Sequence, residues 1–471
     1  MYFVFLKVII FKDMVVKMVK LQFKFKNNKI ISLEPTKIIV LSFIAVIIWG
    51  SVVLYLPIAS NPDQPRIRFL DALFTATAAT CVTGLTVVDT AKQWSYFGQT
   101  VILLLIQIGG LGLVTITTFF SVLLGKKVGI KGRILAQESL NYLSSEDILK
   151  LIKRVITVTF IIEFIGAVIF AARFIPQFGL KGIYMSVFHS VSSFCNAGYD
   201  LMGNYQSLTG YRNDPFVLLI TSCLIIIGGL GFLVWKDLYE FRKSRHFLLH
   251  TKVVLLFTVI LLAFGTLYIF IFEYNNPNTL GPLSIPNKLL NAFFQSVCLR
   301  TTGFNTISVF NMREITKVIN VMLMFIGASP GSTGGGIKVT TFGIIIAAIF
   351  SQMRGRDETI IFKHKISYSL VIKSLSIIVL SLIIVLVVTT IILAIDGFPF
   401  IDTLYEAIAA FSTTGSSSLG TPNFHTASRI ILMITMLLGR VGPLSFALSL
   451  SLRNGKRNAD KVYPEGKIIV G

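Results

Sequence analysis

The chain has 471 residues, of which 54% are hydrophobic and only 14% are charged, and its formal net charge is +21. This balance argues against a soluble protein, because such a chain cannot present enough polar surface to water. Uncharged apolar runs recur at 99–125, 215–235, 253–272, 318–337 and 374–395, and a membrane span needs about 20 such residues. The composition therefore predicts a multi-pass membrane protein.

The positive charge is clustered beside these apolar runs, which is typical of cytoplasmic loops rather than of a nucleic-acid-binding surface. The lysine-rich stretch 1–35 and basic segments near 126–133, 236–245, 354–365 and 453–457 alternate with less basic loops. Both termini are therefore predicted on the cytoplasmic side of the membrane, which requires an even number of spans. We expect residues 1–35 to lie on the inner leaflet as a basic amphipathic segment.

The most informative feature is an internal repeat. Four stretches align on one glycine, with spacings of 114, 105 and 112 residues: LFTATAATCVTG ends at Gly84, VFHSVSSFCNAG at Gly198, FFQSVCLRTTG at Gly303 and LYEAIAAFSTTG at Gly415. Each stretch lies between two apolar segments, so each unit is predicted to be a span, a short half-helix, a glycine-bearing loop and a second span. Four units predict an all-α membrane protein with eight transmembrane helices around a central pore in one chain.

The predicted repeats occupy 36–125, 126–240, 241–353 and 354–453, and a cytoplasmic tail follows at 454–471. A glycine-rich spot marks the second span of each repeat: IGGLG at 108–112 and again at 227–231, GSTGGG at 331–336, and GRVGP at 439–443. Close helix packing is a sufficient explanation for the first two spots. The third cannot continue a helix, because Pro330 and five glycines fall within ten residues. We therefore expect the third repeat's second span to break near mid-membrane.

Non-helical backbone at membrane depth is tolerated only where it is buried in protein or lines a water-filled cavity. Four such loops around one axis present rings of carbonyl oxygens that replace the hydration shell of an ion. A glycine allows positive φ and inward-facing carbonyls, and the C-terminal end of each half-helix favours a cation. The repeat thus predicts a cation filter made of backbone.

The sequences TCVTGL, CNAGYD, LRTTGFNT and ASPGSTGGGIK, in this order within four units, resemble the Trk/Ktr/HKT superfamily of bacterial potassium uptake proteins. The similarity is greatest to the membrane subunit of Ktr systems and runs from about residue 35 to 453. The resemblance implies potassium uptake, with sodium as a second transported or activating ion, no enzymatic activity, no cofactor, and no metal beyond the transported cation. No loop reads Thr-Val-Gly-Tyr-Gly, so we expect less strict discrimination against sodium than in tetrameric potassium channels.

The resemblance also assigns the candidate site residues. The filter positions it implies are Val82, Thr83, Gly84, Asn196, Ala197, Gly198, Thr301, Thr302, Gly303, Thr413, Thr414 and Gly415. The intramembrane gate it implies consists of Gly331, Ser332, Thr333, Gly334, Gly335 and Gly336, with Arg440 at the pore below the filter. The alternative for Arg440 is a side chain that reaches back to the cytoplasmic interface.

Other charged residues near the loops are open to more than one interpretation. Arg300 is expected to support the third loop from behind through a partner such as Glu406 or Asp71. Three carboxylates near the outer ends of the loops have two interpretations, attraction of cations to the pore mouth or ordinary solvated groups, and the second is expected: Asp89, Asp200 and Asp402.

Three other functions fit parts of the sequence. The GSTGGGIK stretch is glycine-rich but lacks the Gly-Lys-Ser/Thr ending of a phosphate-binding loop. The GASPG stretch fits a nucleophile pattern at Ser329, but the nearest membrane-depth histidine, His189, is predicted on the other side of the membrane. An alternating-access cation transporter coupled to sodium or protons also uses broken helices. The parallel four-fold repeat favours a gated pore over that alternative.

The resemblance implies a homodimer on a cytosolic ring of nucleotide-binding regulatory subunits of the RCK type. The basic loops 236–252 and 354–365 are candidate docking surfaces for that ring, although positive-inside topology alone explains their charge.

Overall fold

The computed structural model describes residues 35–123, 130–139, 148–443 and 446. Within these ranges the chain is almost entirely helical, and its one sheet is a hairpin of two-residue strands, β1 (Ile360–Ile361) and β2 (His364–Lys365). The predictions for the N-terminal basic segment and for the tail at 454–471 lie outside the described residues.

The helices follow one another in an order that repeats along the chain. They are α1 Pro35–Tyr55, α2 Phe69–Thr80, α3 Thr90–Gln93, α4 Tyr96–Leu111, α5 Leu113–Leu123, α6 Ile130–Ser139, α7 Ile148–Phe178, α8 Leu180–Phe194, α9 Pro215–Leu230, α10 Phe232–Ser244, α11 Leu249–Glu273, α12 Ile285–Cys298, α13 Glu314–Phe325, α14 Val339–Met353, α15 Tyr368–Asp396, α16 Phe400–Phe411 and α17 Thr426–Val441. Short 3₁₀ turns lie at Pro57–Ala59, Thr209–Tyr211 and Thr421–Asn423.

Four helices are each long and apolar enough to cross a membrane: Lys37–Tyr55 within α1, and the whole of α7, α11 and α15. They coincide with the predicted first spans of the four repeats. Much of their surface is not covered by the rest of the protein, as expected for helices that face lipid. The total of eight spans remains a prediction, because the second spans are not continuous helices.

A short helix follows each long one, as predicted: α2, α8, α12 and α16. These half-helices end four or five residues before the aligned glycines. Their C-terminal turns are buried at the centre of the molecule. The loop that follows each half-helix therefore lies inside protein, where non-helical backbone is tolerated.

The segments predicted as second spans are interrupted in all four repeats, not only in the third. Between α4 and α5, between α9 and α10, and after α17 stands a single glycine with φ between +82° and +93°: Gly112, Gly231 and Gly442. The helix axis turns by 94° between α9 and α10. Only glycine adopts such a backbone conformation without strain. Close packing is therefore an incomplete explanation of the two IGGLG stretches, because their last glycine ends a helix.

The same glycine-rich spots also pack closely, three residues before each break. A Cβ atom at this position would lie 2.0 Å or less from a carbonyl oxygen of the last half-helix turn. The glycines and the carbonyls they meet are Gly109 and Thr80, Gly228 and Phe194, and Gly439 and Phe411. Each broken helix thus rests directly on the C-terminal end of its own half-helix.

Candidate ion pathway

The four aligned glycines form a closed ring in chain order. A Cβ atom on Gly84 would lie 2.3 Å from Ala197 O, and one on Gly198 would lie 2.3 Å from Gly303 N. The equivalent distance is 3.0 Å from Gly303 to Gly415 O, and 1.8 Å from Gly415 to Thr83 O. The four loop backbones therefore surround one axis, and a side chain at the shared position has no room.

The backbone of the loops differs in one respect from the prediction. Positive φ occurs at Gly84 (+88°), Gly198 (+70°) and Gly415 (+75°), but not at Gly303. The expectation that all four glycines are left-handed is wrong for the third loop. This loop also closes differently, because Thr302 N donates to Cys298 O, four residues back, whereas the other loops close over five residues.

A left-handed residue two positions before the glycine is common to all four loops, and sequence reasoning missed it. The φ angles are +56° at Val82, +60° at Asn196, +75° at Thr301 and +53° at Thr413. Three of these residues are β-branched, for which positive φ is a genuine outlier with a cost on the order of 1–3 kcal/mol. Only Asn196 carries a sequence signal for this conformation. The surrounding structure must therefore hold the strained backbone in place.

The break in the third repeat is a loop, 326–338, which lies between α13 and α14 and against the loops of the glycine ring. Its Gly335 N donates to Thr413 Oγ1 at 3.1 Å. The Asn196 side-chain amide lies 3.3 Å from Thr333 Oγ1 and 3.2 Å from Thr301 Oγ1. The segment assigned to the gate thus contacts the left-handed residues of three of the four loops.

The neighbouring break in the second repeat provides further partners for this segment. Ser329 N donates to Gly229 O at 3.1 Å, and Phe232 N donates to Gly331 O at 2.8 Å. A helix that ends leaves carbonyl and amide groups without intrahelical partners. Here the two broken helices satisfy one another's backbone groups.

Arg440 joins three repeats. Its guanidinium donates to Thr333 O in the loop and to Gly109 O, and it donates to Gly110 O at 3.1 Å. The last two are carbonyls freed by the break in the first repeat. Arg440 therefore faces the protein interior and does not reach back to the interface.

A second cation, Lys338, lies on the same loop, where its Nζ donates to Gly334 O at 2.8 Å. Within the described residues, neither Lys338 nor Arg440 has a carboxylate partner. The acceptors that these two side chains find among the same residues are all backbone carbonyls. Two basic side chains and the loop therefore lie next to the residues of the ring.

The other predicted gate residues stabilise the loop locally. Gly331 and Gly336 have φ of +64° and +68°, and Ser332 Oγ donates to Ser329 O at 2.6 Å. A Cβ atom on Gly334 would lie 2.2 Å from Thr301 Oγ1. The glycines are required because the loop turns tightly and lies against the ring.

Two expectations about charged residues are wrong. Arg300 pairs with neither predicted partner, because Asp71 accepts from Arg429 at 3.1 Å and Glu406 accepts from Ser418 N at 2.9 Å. Asp402 is not a solvated carboxylate: it is buried and forms an ion pair with Lys317 at 2.7 Å.

The other two loop carboxylates have local backbone partners. Asp89 caps α3 by accepting from Ala91 N and Lys92 N, and Asp200 accepts from Met202 N at 2.9 Å. The partners of Asp71 and Asp402 are distant along the chain, and the only sequence signal for these ion pairs is their shared position in the repeat.

Half-helices that converge on a ring of glycine-bearing loops, with a broken helix beneath, are the architecture of a membrane ion-transport protein. The chain belongs to the TrkH family of cation transport proteins, which it matches over residues 2–459. The resemblance to Trk and Ktr proteins is thereby confirmed, and the family consists of transport proteins rather than enzymes.

Individual relatives cover nearly the whole chain. The Ktr system potassium uptake protein B of Bacillus subtilis is 41% identical over 95% of this chain and 99% of its own length. The potassium/sodium uptake protein NtpJ of Enterococcus hirae is 36% identical over 93% and 98%. The crystal structure of the potassium transporter TrkH from Vibrio parahaemolyticus matches with a TM-score of 0.70 over 91% of this chain and 87% of that chain, at 19% identity. The last comparison supports the fold alone.

Proposed function

We propose that this protein takes up potassium across the cytoplasmic membrane through a channel-like pore formed by four tandem repeats and eight spans. The observation that carries the proposal is the closed ring of Gly84, Gly198, Gly303 and Gly415 above the loop 326–338. The names of the Bacillus and Enterococcus relatives, which include potassium and sodium, support the choice of ion.

In this proposal the filter consists of the glycine and the two residues before it in each loop. Their backbone carbonyls replace the hydration shell of potassium, and the half-helix C-termini contribute partial negative charge. The strained residue two positions before the glycine is the cost of turning the carbonyls toward the axis. The third loop, with its different backbone, makes the ring irregular and the discrimination against sodium weaker.

The gate in this proposal is the segment 331–336 with Arg440. In the conformation described, the segment lies under the ring and Arg440 links it to carbonyls of the first repeat. Opening requires these hydrogen bonds to break and the segment to move aside. A cytosolic nucleotide-binding regulatory ring, bound to a homodimer of this chain, would supply the energy for that movement.

The alternative is an alternating-access cycle coupled to sodium or protons. It predicts saturable flux at a low turnover and a strict dependence on the coupling ion. A pore predicts flux that follows the potassium gradient, with sodium acting at most as an activator.

Rubidium uptake into liposomes that contain the purified chain tests the proposal. We expect uptake to be blocked by potassium at much lower concentration than by sodium, and to be indifferent to a proton gradient. If wild-type protein shows no uptake, the measurement is repeated with the deletion of Gly334–Gly336, which removes the proposed barrier. Absence of uptake in both proteins would contradict the proposed function.

The ring also predicts a ranking of glycine substitutions. Gly415→Ala should reduce potassium affinity most, because a Cβ there meets Thr83 O at 1.8 Å and φ is +75°. Gly303→Ala should be mildest, since its nearest contact is 3.0 Å and its φ is not positive. Competition of rubidium uptake by potassium measures both. Equal effects of the two substitutions would argue against the ring as the selective element.

A further inference from the structure

Behind the second and third filter loops lie two niches that occupy equivalent places in the repeat. Cys195 and Arg300 each stand three residues before the aligned glycine. The Cys195 thiol faces Gln107 of α4 at 3.7 Å and Glu163 of α7 at 3.8 Å. The residues at the equivalent positions around Arg300 are identified from their spacing to the glycines at which the helices pack.

The equivalence rests on matching contacts. Glu163 lies three residues before Gly166, and its carbonyl accepts from Ser190 Oγ at 2.6 Å. Leu262 lies three residues before Gly265, and its carbonyl accepts from Ser296 Oγ at 2.9 Å. In the same way Gln107 and Ile226 each lie two residues before a glycine that touches a half-helix carbonyl. These last two glycines are Gly109 and Gly228.

The two niches therefore differ in chemistry. The first holds a carboxyl group and an amide, which bond to each other at 3.1 Å. The second has leucine and isoleucine at the same places, and a guanidinium where the first has a thiol. Leu262 and Ile226 offer Arg300 no acceptor.

The Arg300 guanidinium has no hydrogen-bond or ion-pair partner among the described residues, and its Nε is fully buried. Beside it is a cavity of about 20 Å³, lined mostly by hydrocarbon from α9, α11 and α12, with Gly229 and Ala328. Thr258 is the other polar side chain of the lining. The Arg300 side chain is partly buried, and a charge without a partner in such an apolar place is unfavourable, so the niche favours a compensating ligand.

We propose that this niche binds one small monatomic anion, such as chloride, on the Arg300 guanidinium. The cavity exceeds the roughly 10–15 Å³ that a single water requires, so it has room for one small ion. A water molecule satisfies Nε but leaves the charge uncompensated in an apolar surrounding. A halide ion accepts a hydrogen bond from Nε and also compensates the positive charge. Thr258 supplies a hydroxyl group to the same cavity.

The site has a consequence for transport, which rests on the proposed function. Arg300 directly precedes Thr301 of the third loop. An uncompensated positive charge at this place opposes cations in the filter, since the low dielectric screens it poorly. Removal of the anion should therefore lower the potassium affinity of uptake.

Anion binding is tested without transport, on the purified full-length chain. The unfolding midpoint is measured in potassium gluconate and in potassium bromide at equal potassium concentration and ionic strength. We expect a saturable rise of about 2–5 °C in bromide, and anomalous scattering from bromide beside Arg300 in a crystal. Arg300→Met should abolish both signals.

A second variant keeps the test decisive if Arg300→Met does not fold. Leu262→Glu places a carboxylate where the first niche has Glu163, so the protein should no longer respond to bromide. Arg173→Met, which removes a half-exposed ion pair with Asp214, is the control and should respond as wild type does. An equal midpoint in gluconate and bromide for wild type, a response that survives in Arg300→Met or Leu262→Glu, or water alone beside Arg300 would overturn the proposal. If the wild-type chain responds to bromide but neither it nor the Gly334–Gly336 deletion takes up rubidium, the proposed function is contradicted and the anion site is not.

Discussion

The inner helix of each repeat is the segment predicted as its second span. The inner helix of the third repeat leaves the α-helical path at a place that corresponds to the breaks in the other three, but by different means. In the first, second and fourth repeats one glycine with φ of +82° to +93° ends the helix. In the third repeat the residues from 326 to 338 are all non-helical. A single glycine redirects a helix, whereas a loop of this length forms an element with its own hydrogen bonds.

This difference assigns separate roles to the two kinds of break. The single-glycine breaks free carbonyls, at Gly109, Gly110 and Gly229, that accept hydrogen bonds from Arg440 or from the third repeat's loop. The first, second and fourth repeats therefore supply hydrogen-bond partners around the third repeat's loop. Four predictions test this division, in order of decreasing effect.

Deletion of Gly334–Gly336 should produce the largest change in flux, and the predictions after it concern stability first. The shortened loop can no longer reach both Thr413 and Arg440, and each lost charge-assisted hydrogen bond is worth about 1.5–3 kcal/mol. We expect rubidium flux to rise about tenfold, which corresponds to about 1.4 kcal/mol of barrier. A monodisperse deletion protein with unchanged or lower flux would mean that the segment only packs helices.

Loss of the ion pair at the start of the third inner helix should lower the stability more than loss of the equivalent ion pair at the start of the fourth. Lys317 and Arg429 each stand 14 residues after an aligned glycine, and each pairs with a carboxylate 13 residues before the next glycine in the ring, Asp402 and Asp71. Lys317 and Asp402 are 7% and 10% exposed, against 18% and 14% for the other pair. Removal of one member of a buried pair costs about 3–5 kcal/mol.

We therefore expect Lys317→Met to lower the free energy of unfolding by an amount near that range, and Arg429→Met to lower it by less. A double-mutant cycle with Asp402→Asn and Asp71→Asn separates the pair energy from other losses. A larger loss of unfolding free energy in Arg429→Met than in Lys317→Met would show that burial does not determine the strength of these ion pairs.

The contrast among inner helices also marks the limit of sequence reasoning here. The long helices, the half-helices and the break after Phe325 follow from hydropathy, the repeat and the Pro/Gly cluster. The breaks at Gly112 and Gly231 were missed, because one glycine is tolerated in a helix and its φ leaves no other trace in sequence. The left-handed Val82 and Thr413 were missed for a related reason, since tertiary contacts override their local preference. The Lys317 and Arg429 pairs join residues that only the folded ring brings together.

Two adjacent glycines in the second inner helix test whether the packing of this helix against the end of α8 can adjust. A Cβ at Gly228 would lie 1.9 Å from Phe194 O, whereas the nearest atom to a Cβ at Gly229 is 3.5 Å away. Gly228→Ala should therefore destabilise the protein by about 1–3 kcal/mol through overpacking. Gly229→Ala is the matched control and should be neutral or stabilising by up to about 1 kcal/mol, because alanine favours the helix. Thermal unfolding of the two variants measures the difference, and a similar loss in both would place the strain elsewhere.

The smallest expected effect concerns the bend itself. Gly231→Ala places a side chain on a residue with φ of +92° and brings its Cβ to 2.6 Å from Pro330 O. With ψ of 147° this conformation is essentially restricted to glycine, and the conformational part of the cost is about 1–3 kcal/mol. Gly179→Ala isolates that part, because Gly179 has φ of +61° and a Cβ atom there would meet nothing within 4 Å. If the bend at Gly231 only redirects the helix, the two variants should lose similar stability and keep wild-type flux. If the bend also holds the loop in place, Gly231→Ala should lose more stability than Gly179→Ala. It should also raise flux, since the contact with Pro330 pushes the loop away from the ring.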